Sequence, residues 1–301
     1  MKLADIEKAL RIYADAKYNV LLSGKHGVGK TALIRSVFTD KFGDFGKNWL
    51  YFSASTLDPW VDFIGIPKTM TRNDGSEVFR IVPPEHLADN NDVRAIFFDE
   101  INRADPKILN ALMELIQFKS VNGRKFPSLV CVWAAENPSD DDKNNYHVQE
   151  LDPAQRDRFE IQLTVPNDLN IGYFLSKYQN HKLHVKVAAN WWQTSKKDIS
   201  PRKLDQILHG FVLGHPVQHF TSSVSLAELA NNFESVALYT QFLDLAKKMD
   251  KNEYTKVFNL DFIRKHKNVI KLDDDKELLK MIFAYLPGEI REFILDEFKY
   301  R

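Results

Sequence analysis

Eight consecutive residues, Gly24-Lys25-His26-Gly27-Val28-Gly29-Lys30-Thr31, set three glycines, a lysine and a hydroxyl in the order G-x-x-x-x-G-K-[ST]. Glycines let successive backbone N–H groups turn inward around an anion, because no Cβ obstructs the turn. Residues 19–23 (NVLLS) read as a strand leading in, and the chain from Lys30 reads as a helix. A helix N-terminus adds its positive dipole end to such a cradle. Lys30 would reach the β- and γ-phosphates of a nucleoside triphosphate, and Thr31 would hold Mg²⁺ through its hydroxyl. The binding segment runs from Gly24 through Ala32, with His26 a variable, solvent-facing position.

A second cluster lies downstream. Residues 93–98 (VRAIFF) form an apolar strand that ends in Asp99 and Glu100. Asp99 at a strand tip can hold Mg²⁺ through water, and Glu100 can orient and activate an attacking water. Glu100 is what separates a hydrolase from a binding-only switch.

These side chains need a scaffold that brings strand ends together. Further strand signals lie at 49–53, 129–135 (LVCVWAA) and 159–165 (FEIQLTV). A helix over 30–42 places Leu33, Ile34, Val37 and Phe38 on one face, and another over 106–118 does the same with Ile108, Leu112, Leu115 and Ile116. Asn122-Gly123 marks a hairpin turn. Strands alternating with helices predict a five-stranded parallel sheet covered on both faces. Strand signals stop after Val165, so an α/β nucleotide-binding domain is expected over 1–166 and a helical region over 167–301. Helices are expected there at 168–178, 201–213, 226–249, 274–286 and 289–300, with Ser225 and Glu228 as a capping box. Trp191, Trp192 and the aromatic residues at helical spacing, Tyr239, Phe242, Phe283, Phe293 and Phe298, read as core. The polar stretch 139–145 (SDDDKNN) reads as a solvated loop.

The bulk composition narrows the function classes. In 301 residues, 44% are apolar and 27% charged, as in an ordinary globular protein with room for two domains. Lys and Arg number 41 and so do Asp and Glu, so no global field draws the chain to nucleic acid or an acidic membrane. The one cysteine, Cys131, sits in an apolar run; it cannot form an intrachain disulfide, which fits a reducing compartment. The first 17 residues are charged and helix-like rather than an export signal, and there is no long apolar run to span a membrane. A cytoplasmic location is expected.

With Asp99-Glu100-Ile101-Asn102-Arg103-Ala104, the chain resembles the MoxR branch of the AAA+ ATPases, which includes the dynein-related group. Other segments match in order. Residues 57–67 (LDPWVDFIGIP) resemble the segment after the second strand, Ala135-Glu136-Asn137-Pro138 the sensor-1 strand end, 151–159 (LDPAQRDRF) the L-x-x-A-x-x-D-R-F segment, and Ser200-Pro201-Arg202 the sensor-2 helix start. The resemblance spans residues 17–213. It implies a P-loop NTPase fold of the AAA+ type with an all-α lid, and ATP with Mg²⁺ as the cofactors. It implies that Asn137 positions the water near the γ-phosphate and that Arg158 is an arginine finger serving a neighbouring subunit, with Arg156 a second candidate. Arg202 would touch the γ-phosphate as sensor 2, and Arg103 would lie near a subunit boundary or in a structural ion pair. The family also implies a homo-oligomeric, hexameric ring and chaperone-like remodelling of a protein client, such as a partner with a von Willebrand A domain. The helical leader before the cradle is shorter than in many members, and residues 216–301 match no family segment.

Two other classes compete. A nucleic-acid-associated motor like the McrB-type restriction GTPases is disfavoured by the neutral charge and by Ala134-Ala135-Glu136-Asn137-Pro138, which departs from the M-N-T-A-D of that group. A scaffold that binds ATP without turnover would not need Glu100, Asn137 and Arg158.

Overall fold

The computed structural model describes residues 3–88, 91–138, 150–195, 199–220, 225–274 and 276–298. The chain divides into two compact units, Met1–Asp168 and Leu169–Arg301.

In the first unit the order is α1 (Leu3–Asp15), β1 (Val20–Ser23), α2 (Lys30–Phe42), β2 (Trp49–Ser53), β3 (Ile66–Thr71), β4 (Glu77–Val82), α3 (Glu85–Ala88), β5 (Ala95–Asp99), α4 (Pro106–Phe118), β6 (Ser120–Val121), β7 (Arg124–Lys125), β8 (Cys131–Glu136), α5 (Pro153–Arg156) and β9 (Ile161–Thr164). Five of these strands form one sheet in the order β2-β5-β8-β1-β9, with every neighbouring pair parallel. Successive side chains on a strand point to opposite faces, and the two cores follow that rule. Ile96, Phe98, Val132 and Ala134 pack on one face with Ile108, Leu112 and Leu115 of α4. Ala95, Phe97, Cys131 and Trp133 pack on the other with Ile34, Val37 and Phe38 of α2 and Leu10 of α1. Burial on both faces is why β5 and β8 read as unbroken apolar runs. Burial also pushes the Cys131 thiol up to about 12, so it stays protonated and inert.

Elements that the sequence places at 93–98 and 129–135 begin two residues later, at Ala95 and Cys131. Val93 and Leu129 are buried all the same, so it is core membership rather than ladder pairing that the apolar run reports. Asn122 and Gly123 both take positive φ, 49° and 79°, and turn β6 into β7.

The second unit comprises α6 (Ile171–Lys177), α7 (Lys182–Thr194), α8 (Pro201–Val212), α9 (Ser225–Ala246), α10 (Tyr254–Val257), α11 (Leu260–Leu272), α12 (Lys276–Ala284) and α13 (Gly288–Phe298). Trp191 and Trp192 belong to one of its cores and Tyr239, Phe242 and Phe258 to the other. α7 and α11 are absent from the sequence reading, as is the β3–β4 hairpin. The loop read at 139–145 and the cap read at Ser225 lie outside the described residues and side chains. Among the described residues no helix is long and apolar enough to cross a membrane.

Candidate functional site

β1 ends at Ser23, and the chain passes through the glycine-rich turn straight into α2. Two glycines are required there for different reasons. A Cβ on Gly24 would lie 2.8 Å from the carbonyl oxygen of Val165, while Gly29 takes the left-handed conformation with φ 98°. No side chain caps the start of α2. Its first N–H groups are therefore available to an anion, with the helix dipole behind them.

Lys30, 6% exposed, opens α2 and curls back over the turn. Its ammonium donates to the carbonyl of Gly24, to the carbonyl of Lys25 at 2.9 Å and to Oδ1 of Asn137 at 2.8 Å. A buried ammonium costs several kcal/mol unless it is paired; here it has three oxygen acceptors. Lys25 and His26 are exposed, whereas Gly27 and Val28 are buried.

One residue on, the Thr31 hydroxyl donates to Oδ2 of Asp99 at 2.6 Å. A hydroxyl and a carboxylate are the hard oxygen donors that Mg²⁺ takes together with phosphate oxygens and water. Their contact brings the P-loop and the tip of β5 to one point, so these residues fit the ion. Glu100 follows in the left-handed conformation, with φ 54° and ψ 42°. For a non-glycine residue this conformation costs about 1–2 kcal/mol, and such strain is concentrated at functional sites. It turns the Glu100 carboxylate out of the strand direction, where Oε2 accepts from the Ser55 hydroxyl at 3.0 Å and lies 3.9 Å from the Arg103 guanidinium.

Asn137 lies just past β8 and is 7% exposed. Its carbonyl accepts from the side-chain amide of Asn102 at 2.7 Å, and its N–H donates to Oδ1 of Asn102 at 3.4 Å. Asn102 thereby holds Asn137 from the turn that follows Glu100 and leaves the Asn137 side chain to Lys30. Beside it, Glu136 is 4% exposed and is gripped bidentately by Arg156, at 2.9 and 3.1 Å. Arg156 is thus engaged within its own chain. Arg158 is half-buried at the turn before β9, the edge strand; it donates to the Ala154 carbonyl at 3.0 Å and makes no ion pair among the described residues. Arg202 belongs to the second unit, exposed in the first turn of α8, behind a Ser200 cap that accepts from the Lys203 N–H at 3.2 Å.

Lys30, Thr31, Asp99, Glu100 and Asn137 therefore converge within the first unit, joined by Ser55, Asn102 and Glu136. The sequence reading gave none of these last three a role. Parallel register carries the signal that would have found two of them: Ser53 pairs with Asp99 and Ser23 with Glu136, so residues just past those positions share the same sheet edge.

Residues 20–167 match the family model "ATPase family associated with various cellular activities (AAA)". The chain is 32% identical to Protein MoxR of Paracoccus denitrificans over 165 residues, 52% of this chain and 44% of that protein. It is likewise 32% identical to Chaperone MoxR1 of Mycobacterium tuberculosis over 162 residues, 52% and 37% respectively. The matched stretch spans less than half the length of these curated relatives. Among solved structures, NtrX from Brucella abortus aligns with a TM-score of 0.45 at 12% identity, over 89% of this chain and 68% of its own. The family model and the MoxR relatives agree with the site geometry, and the sheet unit of this chain is similar to the AAA ATPases, the MoxR proteins among them.

Proposed function

We propose that the chain binds ATP with Mg²⁺ and hydrolyses it at sites shared between copies in a homo-oligomeric, hexameric ring, using the energy to remodel a protein client. The observation that carries this reading is the junction at the α2 N-terminus: Lys30 on Asn137 and Thr31 on Asp99, with Glu100 one residue further.

Each residue has a task set by its chemistry. The backbone N–H groups from Gly24 to Gly29 hold phosphate oxygens, with Lys25, His26, Val28 and Ala32 completing the cradle. Lys30 exchanges its carbonyl acceptors for phosphate oxygens, which are stronger acceptors because they are charged. Thr31 and Asp99 would hold Mg²⁺, which neutralises charge on the phosphates. Glu100 accepts a proton from water, and the Ser55 contact aims it. Asn137 fixes the water beside the γ-phosphate. Arg158 faces a neighbouring copy from the edge of the sheet and stabilises charge that develops on its nucleotide. Arg202 reports nucleotide state from the start of α8. The client is of protein class, such as a partner bearing a von Willebrand A domain, and the location is cytoplasmic.

Mixed rings test the shared site. Arg158→Ala alone should abolish phosphate release while nucleotide affinity, read by a fluorescent nucleotide, stays within about threefold. Mixing Arg158→Ala with Lys30→Ala, itself inactive, should restore part of the rate, because an intact P-loop then meets an intact finger. If Arg158→Ala monomers hydrolyse ATP at the native rate, the shared-site reading fails.

A further inference from the structure

Arg156 and Glu136 form the least expected contact in the sheet unit. The Glu136 carboxylate is buried and would be costly unpaired. Arg156 meets both its oxygens with the planar fork that only arginine offers. Each partner is held independently from behind. On one side, Asp152 and Gln155 close a reciprocal capping box at the start of α5, at 2.8 and 3.0 Å, and the Arg156 carbonyl accepts from the Gln162 amide at 3.0 Å. On the other, the Glu136 carbonyl accepts from the Gly24 N–H at 3.3 Å, so this residue touches the first glycine of the cradle. The next residue in the chain, Asn137, contacts Lys30. The pair lines a cavity of ≈ 280 Å³ that Ser23, Asn102, Asn137 and Thr164 also line.

We propose that Arg156 is a positioning residue that acts within its own subunit through Glu136. It would tie the turn carrying Arg158 to the tip of β8, so that a shift of that turn is felt at Gly24 and Asn137. This rests on the reading above that the site turns over ATP, and it assigns Arg156 a role distinct from a finger. The link is contiguous: Arg158 lies two residues from Arg156, Arg156 is bonded to Glu136, and Glu136 is bonded to Gly24 and adjacent to Asn137. A rigid bidentate pair transmits displacement; a lysine, with a single flexible point charge, would do so only in part.

The test is steady-state phosphate release by the full chain with Mg-ATP. Arg156→Ala should lower kcat by about tenfold while KM and fluorescent-nucleotide affinity stay within about twofold, since every phosphate-holding group of the cradle is still present. Arg156→Lys should recover part of that loss. Mixed with Lys30→Ala, Arg156→Ala should gain nothing, whereas Arg158→Ala mixed with Lys30→Ala should regain activity. The double variant Glu136→Gln/Arg156→Met leaves no orphaned buried charge and guards against simple unfolding; it should keep the low kcat with a native melting curve. Complementation by Arg156→Ala would make it a finger acting on the neighbour and overturn the proposal. So would a native kcat in Arg156→Ala or in the double variant. A native protein that releases no phosphate would instead overturn the ATPase reading beneath it, and a failed Arg158 mixture would remove the shared site alone, because the split between kcat and KM needs no mixing.

Discussion

The two units treat buried polarity in opposite ways. Among the described residues, the buried polar or charged side chains of the sheet unit are Asn19, Lys30, Asn102, Glu136 and Asn137, while the helical unit has His266. Four of the five in the sheet unit stand where strand ends meet the P-loop. His266 is an isolated case, satisfied by the Ser235 hydroxyl. The helical unit is otherwise cored by indole and phenyl rings, such as Trp191, Trp192, Phe233, Tyr239 and Phe258. Desolvating polar groups costs free energy that apolar packing does not. The sheet unit bears most of that cost at one place, and the helical unit bears less of it. The difference teaches where to look for chemistry: substitutions at the sheet edge should damage function more than stability, and those in the helical cores the reverse.

The comparison can be broken in three ways. The largest expected effect is on stability, at Trp192, which is fully buried with its indole N–H donating to the Ile199 carbonyl at 2.8 Å. Trp192→Ala should destabilise the helical unit by about 3–5 kcal/mol, read as a shifted urea midpoint. At the sheet edge, Lys30→Met should weaken ATP binding by about a hundredfold in a fluorescent-nucleotide titration, the loss of two charge-assisted hydrogen bonds. Its unfolding midpoint should nevertheless hold or rise, because an apolar chain of similar length replaces a desolvated charge. A smaller effect concerns pH. Burial against Phe211 and Phe233, helped by the charge of nearby His181, pushes His184 down to about 4. The unfolded chain then takes up this proton first as pH falls. The stability is fully present above about pH 6.5 and is lost towards pH 4, by about 1–3 kcal/mol. Urea midpoints across that window should fall less steeply in His184→Gln than in the native protein.

Much of this architecture is written locally. The boundaries of α2 and α4 follow from the glycine turn, from Asp105-Pro106 and from apolar residues at helical spacing. The five sheet strands follow from their apolar runs. The β3–β4 hairpin does not, because every residue of Ile66–Thr71 is exposed and no alternation marks it. α7 and α11 are hard to read for other reasons. α7 combines Val, Trp and His, which are weak helix formers, and the buried face of α11 is narrow, with His266 standing among Ile263, Val269 and Ile270. At the site, Lys30, Thr31, Asp99 and Glu100 announce themselves by spacing. Ser55, Asn102 and the Glu136–Arg156 pair do not. Their partners lie 45, 35 and 20 residues away, and only strand order and register bring them together.

The central claim is that Glu100, held in a strained conformation beside Asp99, activates water against a bound triphosphate. Phosphate release per subunit at saturating Mg-ATP, native against Glu100→Gln, tests it most directly, with nucleotide affinity measured on the same samples. A fall of at least about a hundredfold in kcat with affinity unchanged is the expected result; equal rates in the two proteins would contradict it.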